Sequence, residues 1–266
     1  MIFNLSKTNN KKNLFVALGI KNFPMLLTVD VGNTRIKAAV FEQNRIVEVF
    51  IFTKEELTIQ IHTILNRYEK VKNLVVASVG TTKKESFLFL KNAVEIYFIT
   101  YDSKFPFTNL YITPTTLGVD RMVLAAGSVF QFPGQNRLVI DAGTCITYDF
   151  IDENDNYLGG AISPGIELRY HSLHDYTAQL PLLVKTNPES FIGNSTSESI
   201  HSGVINGVAL EIDGFAELYK TKYAKFIIIL TGGDSEILAK RLKNTIFSNS
   251  NFLMESLNQT FQYNQK

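Results

Sequence analysis

Two aspartates stand where apolar runs give way to glycine. Asp30-Val31-Gly32-Asn33-Thr34 is echoed 111 positions later by Asp141-Ala142-Gly143-Thr144. Asp, Gly and Asn are ordinary turn residues, so a hairpin turn alone accounts for either copy. The same residues also suit a phosphate cradle. Glycine permits positive φ and bares the backbone, whose N–H groups can face a triphosphate together with the Asn33 and Thr34 side chains. Asp30 can hold Mg²⁺ through water, and Lys37 adds positive charge nearby. Repetition favours the cradle, because two such turns meeting across a cleft exceed what a turn requires.

Thr115-Thr116-Leu117-Gly118-Val119-Asp120-Arg121 offers acid–base chemistry. Asp120 precedes an apolar helical run at 122–130, where aspartate is a favoured N-cap. It is equally suited to accept the proton of a substrate hydroxyl as general base, with Arg121 binding an acidic group on the substrate. The two roles are compatible. Thr231-Gly232-Gly233-Asp234, between a strand and a helix, is a third glycine turn and suits an anion at a helix N-terminus. The stretch Gly159-Gly160-Ala161-Ile162-Ser163-Pro164-Gly165, then Arg169, then Thr177-Ala178-Gln179-Leu180-Pro181, reads by its Pro and Gly as loop. His171 and His174 read as a solvated helix face and not as a metal pair, since no third ligand has a sensible spacing. Cys145 reads as a small buried apolar residue on a strand.

Elements must hold these residues in place. Each Asp-x-Gly closes an apolar strand (residues 26–29 and 138–140) and opens a second (35–41 and 145–151). A polar turn (42–45 and 152–156) and a third short strand follow in each copy. Two hairpins, each opening half of the chain, predict two similar subdomains with a cleft between them, at 25–137 and 138–266. Helical spacing appears at 55–68 and 83–92, with strands at 74–78 and 96–100. The second half adds a long apolar helix at 197–219, a strand at 226–230 and a helix at 236–242. Gly203 and Gly207 in the long helix have the spacing of close helix packing.

Composition bounds the function. The chain has 266 residues, 45% of them apolar, with 26 basic against 25 acidic side chains and a net charge of +1. So weak a field argues against nucleic acid as partner. One cysteine excludes a disulfide framework and a Cys-rich zinc site, and places the chain in the cytoplasm. The longest apolar runs, 226–230 among them, are strand-sized, so no membrane is expected. Residues 1–24 loosely imitate a secretory signal, but Lys21-Asn22-Phe23-Pro24 replaces a cleavage site. They read as a disordered lead or a mis-set start.

Taken together, these motifs resemble those of the type III pantothenate kinases. The resemblance rests on Asp30 to Thr34 with Lys37, Gly118 to Arg121, Asp141 to Thr144, Gly159 to Gly165 with Arg169, Thr177 to Pro181, and Thr231-Gly232-Gly233. Gly118 to Arg121 followed by Thr177 to Pro181 is the most specific pair; the Asp-x-Gly copies occur across the acetate and sugar kinase, Hsp70 and actin superfamily. The resemblance implies a duplicated ribonuclease H-like (actin-like ATPase) fold, α/β, with two mixed-sheet subdomains around a nucleotide cleft. It implies ATP and Mg²⁺ binding at Asp30, Val31, Gly32, Asn33, Thr34, Arg35, Ile36 and Lys37, a further ATP contact at Thr144, and K⁺ or NH₄⁺ at Asp141. Pantothenate would be met by Tyr111, Gly118, Val119, Asp120, Arg121 and Thr177, with Asp120 the proton acceptor. A homodimer is implied as well. The rival readings are another small-molecule kinase of the superfamily and a non-catalytic regulatory relative.

Overall fold

The computed structural model describes residues 25–78, 84–90 and 93–266. The readings of 1–24 therefore lie outside the described residues. The chain forms two compact units that interleave in sequence. One comprises the described residues up to Phe105 with Thr115–Val123 and Met254–Lys266; the other comprises Pro106–Pro114 and Leu124–Leu253.

The first unit is built on a mixed sheet of β1 (Met25–Val31), β2 (Ile36–Glu42), β3 (Arg45–Phe52), β4 (Val71–Ser78) and β5 (Glu95–Phe98), in the order β3-β2-β1-β4-β5. β1 and β2 are antiparallel, as are β2 and β3, whereas β4 lies parallel to β1 and β5 parallel to β4. Leu27, Val29 and Val31 alternate along β1 and share one face with Ile36, Ala38 and Val40. Against that face pack Leu57, Ile61 and Ile64 of helix α1 (Leu57–Arg67), spaced for one side of a helix. Each such fully buried aliphatic side chain contributes roughly 1.5–3 kcal/mol. Residues 84–90 form a 3₁₀ helix, and the expected helix ends at 83, 91 and 92 lie outside the described residues.

The second unit repeats the plan. β7 (Arg137–Ala142), β8 (Cys145–Ile151), β9 (Asn156–Pro164), β10 (Ile227–Thr231) and β11 (Phe247–Ser248) give the order β11-β10-β7-β8-β9, with β6 (Thr108–Asn109) added beyond β9. Again the first three strands are antiparallel neighbours and the next two run parallel. The repeat inferred from two Asp-x-Gly turns is thus a repeat of topology.

Helix α2 (Val119–Gln131) starts three residues before the expected run, and its boundary between units falls within the helix. α3 (Ile166–Asp175) follows β9, and α4 (Thr196–His201) is capped by the Ser195 hydroxyl, which accepts from the Glu198 N–H at 3.2 Å. A π-helical stretch, Ser202–Asn206, joins α4 to α5 (Gly207–Lys222). A Cβ placed at Gly203 or Gly207 would meet nothing within 4 Å, so these glycines do not serve close helix packing inside the chain. α6 (Ser235–Ala239) is shorter than expected.

α7 (Phe252–Asn264), with no counterpart in the sequence reading, packs in the first unit. The Thr28 hydroxyl reaches the Met254 sulfur at 3.6 Å, and the rings of Tyr97 and Phe261 meet edge to face at 4.9 Å. Among the described residues no helix is long and apolar enough to cross a membrane.

Candidate active site

In the first unit, Asp30 pairs with Lys37 across the β1–β2 ladder and Val31 with Ile36, leaving residues 32–35 as the loop. Asn33, Thr34 and Arg35 are exposed, and Asp30 and Lys37 are half-buried. Gly32 is not among the positive-φ residues, which corrects the expectation of a left-handed turn. Its missing side chain serves proximity instead: a Cβ would lie 3.0 Å from the Arg35 carbonyl.

Asp120 lies in the first turn of α2, inside the helix and not at its cap. The Gly118 carbonyl accepts the Met122 N–H at 3.2 Å, and the Asp120 Oδ1 accepts the Arg121 N–H at 2.9 Å. A Cβ at Gly118 would collide with that same Oδ1, so glycine makes the space the carboxylate occupies. A negative charge in the first turn is favoured by the helix dipole. Arg121 is buried and Gly118, Val119 and Asp120 are half-buried.

In the second unit three glycine segments meet at the end of β7. Gly143 N–H donates to the Cys145 carbonyl (3.1 Å), Gly165 N–H to Thr144 (3.0 Å) and Asp234 N–H to Ala142 (3.1 Å). Gly232 has φ +95°, and a Cβ there would strike the Ala142 carbonyl and the Asp141 carboxylate. The third glycine turn therefore seats directly on the second Asp-x-Gly. Lys185 Nζ donates to Asp234 Oδ1 at 2.6 Å and lies 4.0 Å from Glu167; the third glycine turn thus has a lysine partner that the sequence reading did not name. Cys145 is half-buried, not buried as expected.

Tyr111 belongs to the same unit and lies across Gly159, where φ is +98° and a Cβ would come within 3.2 Å of the ring. The Tyr111 ring meets Tyr157 edge to face at 6.1 Å, and the Tyr157 hydroxyl donates to Asp149 Oδ1 at 2.5 Å. Thr177 is exposed just beyond α3; its hydroxyl donates to the Leu173 carbonyl at 2.6 Å and accepts the Leu180 N–H at 3.4 Å. His174 Nδ1 contacts the Leu180 carbonyl at 2.8 Å, and His171 is exposed.

The doubled strand order and the glycine turns at the ends of β1, β7 and β10 define the class: a duplicated α/β fold of the sugar kinase and actin-like ATPase kind. Solved structures share it. One is the inorganic polyphosphate/ATP-glucomannokinase of Arthrobacter sp. strain KM, at TM-score 0.50 and 13% identity over 92% of this chain and 100% of that one. A chain from Campylobacter jejuni named for the Baf family of transcriptional activators aligns at TM-score 0.59 and 22% identity, over 90% of this chain and 98% of its own. At the level of family, the type III pantothenate kinase model matches residues 26–218. The type III pantothenate kinase of Flavobacterium johnsoniae is 64% identical over 239 residues, covering 90% of this chain and 98% of that protein. The chain belongs to the type III pantothenate kinase family, whose members are transferases of the kinase class and use ATP.

Proposed function

We propose that the chain transfers the γ-phosphoryl group of ATP to the primary hydroxyl of pantothenate, giving 4′-phosphopantothenate in the first step of coenzyme A synthesis. The observation that carries this reading is the placement of Asp120 over Gly118 beside buried Arg121, in a chain of this family. Asp120 accepts the hydroxyl proton as its oxygen bonds to phosphorus; the bond from that phosphorus to the β,γ-bridging oxygen breaks, and ADP leaves with the electron pair. Arg121 draws the pantothenate carboxylate, and Tyr111, Gly118, Val119 and Thr177 complete the substrate contacts. The residues Asp30 to Lys37 hold the phosphates, joined by Thr144. Exposed Asn33 and Thr34 bind, and Lys37 neutralises.

A divalent ion fits the donor set at Asp30, a half-buried carboxylate at a strand end beside an exposed loop. Mg²⁺ asks for one or two carboxylates and takes its other ligands from water and phosphate, supplying charge neutralisation of the triphosphate. Asp141 suits a monovalent cation, K⁺ or NH₄⁺: its carboxylate faces the space left by Gly232, among the carbonyls of a close-packed turn. The duplication is placed at 25–137 and 138–266, a division supported by the shared strand order; the compact units cross it, since Pro106–Pro114 and the chain from Leu124 belong to the second and Met254–Lys266 to the first. The protein works in the cytoplasm as a homodimer, without nucleic acid or membrane as partner.

The test is an assay with ATP, Mg²⁺ and K⁺ across pantothenate, acetate and hexoses. Turnover of pantothenate alone is expected. Turnover of a sugar or of acetate instead would make the chain another kinase of the superfamily, and no turnover of any would make it a regulatory relative.

A further inference from the structure

Glu211 on α5 is the hub of a polar cluster outside the assigned turns. Its Oε1 accepts from the hydroxyls of Tyr148 (2.9 Å) and Ser163 (2.5 Å), and its Oε2 from Arg169 (2.5 Å). Burial pushes the Glu211 carboxyl up, but the hydrogen bonds from Ser163, Arg169 and Tyr148 outweigh it and hold the group below its usual range. The ion pair is three-quarters buried on both sides, with side-chain exposures of 22% and 25%. It is more than a solvated surface pair, which contributes little.

The other arm of Arg169 leads to the nucleotide turn. Arg169 Nε–H donates to the Pro164 carbonyl at 2.9 Å. Pro164 ends β9 opposite Cys145 and, lacking an N–H, cannot close the ladder there by its own amide. The next residue, Gly165, donates to the Thr144 carbonyl, and a Cβ on it would collide with the carbonyls of Gly143 and Thr144. A continuous path thus runs within one unit from α5 through Glu211 and Arg169 to Pro164 and Gly165, ending at Gly143 and Thr144. Pro164 itself is exposed, but buried Gly165 is packed against the carbonyls of Gly143 and Thr144, so a shift of Pro164 that carries Gly165 with it presses on that turn.

We propose that Arg169 and Glu211 are positioning residues for ATP: they fix the Gly143–Thr144 turn through Pro164 and Gly165. The proposal rests on the reading of Thr144 as an ATP contact. Neither residue is among the proposed pantothenate contacts, so the effect is selective for the nucleotide.

The experiment compares Glu211→Gln, Arg169→Lys and Thr144→Ala with the wild-type chain. It reads the Kd of a non-hydrolysable β,γ-imido ATP analogue, the separate KM values for ATP and pantothenate, and the melting temperature. Glu211→Gln is expected to weaken analogue binding about tenfold, with the KM for ATP rising in parallel and that for pantothenate within about twofold of wild type. Arg169→Lys keeps the charge but loses the planar fork that reaches both Glu211 and Pro164, and should show a smaller loss of the same kind; it decides the matter if Glu211→Gln does not fold. Variants that melt lower yet bind the analogue normally, or that raise the KM for pantothenate instead, overturn the proposal. Thr144→Ala separates the layers. If it weakens the analogue while the other two do not, the positioning role alone fails; if it leaves binding unchanged, the ATP assignment of the turn fails and the proposal with it.

Discussion

Asp120 illustrates how much one missing methyl group can matter. Because Gly118 vacates the space its carboxylate fills, Gly118→Ala should displace the proposed base without removing it, while Asp120→Asn removes the carboxylate and keeps the shape. Asp120→Asn is expected to lower kcat by about 10²- to 10⁴-fold, the usual worth of a general base, with binding of the ATP analogue unchanged; near-normal turnover would leave the carboxylate with a helix-terminal role alone. Glu211 carries a pH signature of a different kind. Its folded carboxyl lies below the ordinary value of 4.5, so the stabilisation is present above that pH and is lost as pH falls through the lowered value. The melting temperatures of wild type and Glu211→Gln should therefore differ at neutral pH and converge on acidification, as a calorimetric pH series would show.

Elements were legible to unequal degrees. Gly232 sits at φ +95° against the Ala142 carbonyl, so Gly232→Ala should cost about 1–3 kcal/mol in backbone strain and lower the melting temperature by several degrees; an unchanged melting curve would mean the β10 turn can relax away from β7. The hairpins β1–β2 and β7–β8 could be read from the chain because alternation and turn residues are local signals. Strand β8 ends where the sequence placed it. Residues 84–90 looked α-helical, yet buried Phe87 and Leu90 stand three apart, the repeat of the tighter 3₁₀ turn that forms. α7 escaped notice because its core-facing side includes Ser256, Asn258 and Thr260, all fully or nearly fully buried, which blurs the apolar stripe. The Glu211 cluster had no local signature at all, joining residues 42, 48 and 63 positions apart.

For the molecule as a whole, the proposed cation and assembly make the sharpest demands. A carboxylate in a crowded turn near a triphosphate is costly without a counter-ion, so activity of exhaustively desalted enzyme should rise on titration with K⁺ or NH₄⁺ in Tris buffer. Asp141→Ala should lose that response together with most activity; a flat titration in the wild type would retire the cation from Asp141. Sedimentation should return a particle of two 30.0 kDa chains, and a monomer with full activity would remove the dimer from the reading.

The placement of α7 imposes an order on biosynthesis. Thr28 on β1 reaches Met254, the Asn258 amide donates to the Gln43 carbonyl, and Gln262 reaches Asn44. A ribosome that has finished the first sheet must still translate the whole second unit before this helix emerges, a delay of roughly 10–30 s at ordinary elongation rates. Throughout that interval Thr28, Gln43 and Asn44 lack the α7 partners they have in the finished chain. Nascent chains stalled before residue 252 should accordingly be held by a chaperone or cut by protease within the first sheet, while chains stalled after residue 264 resist.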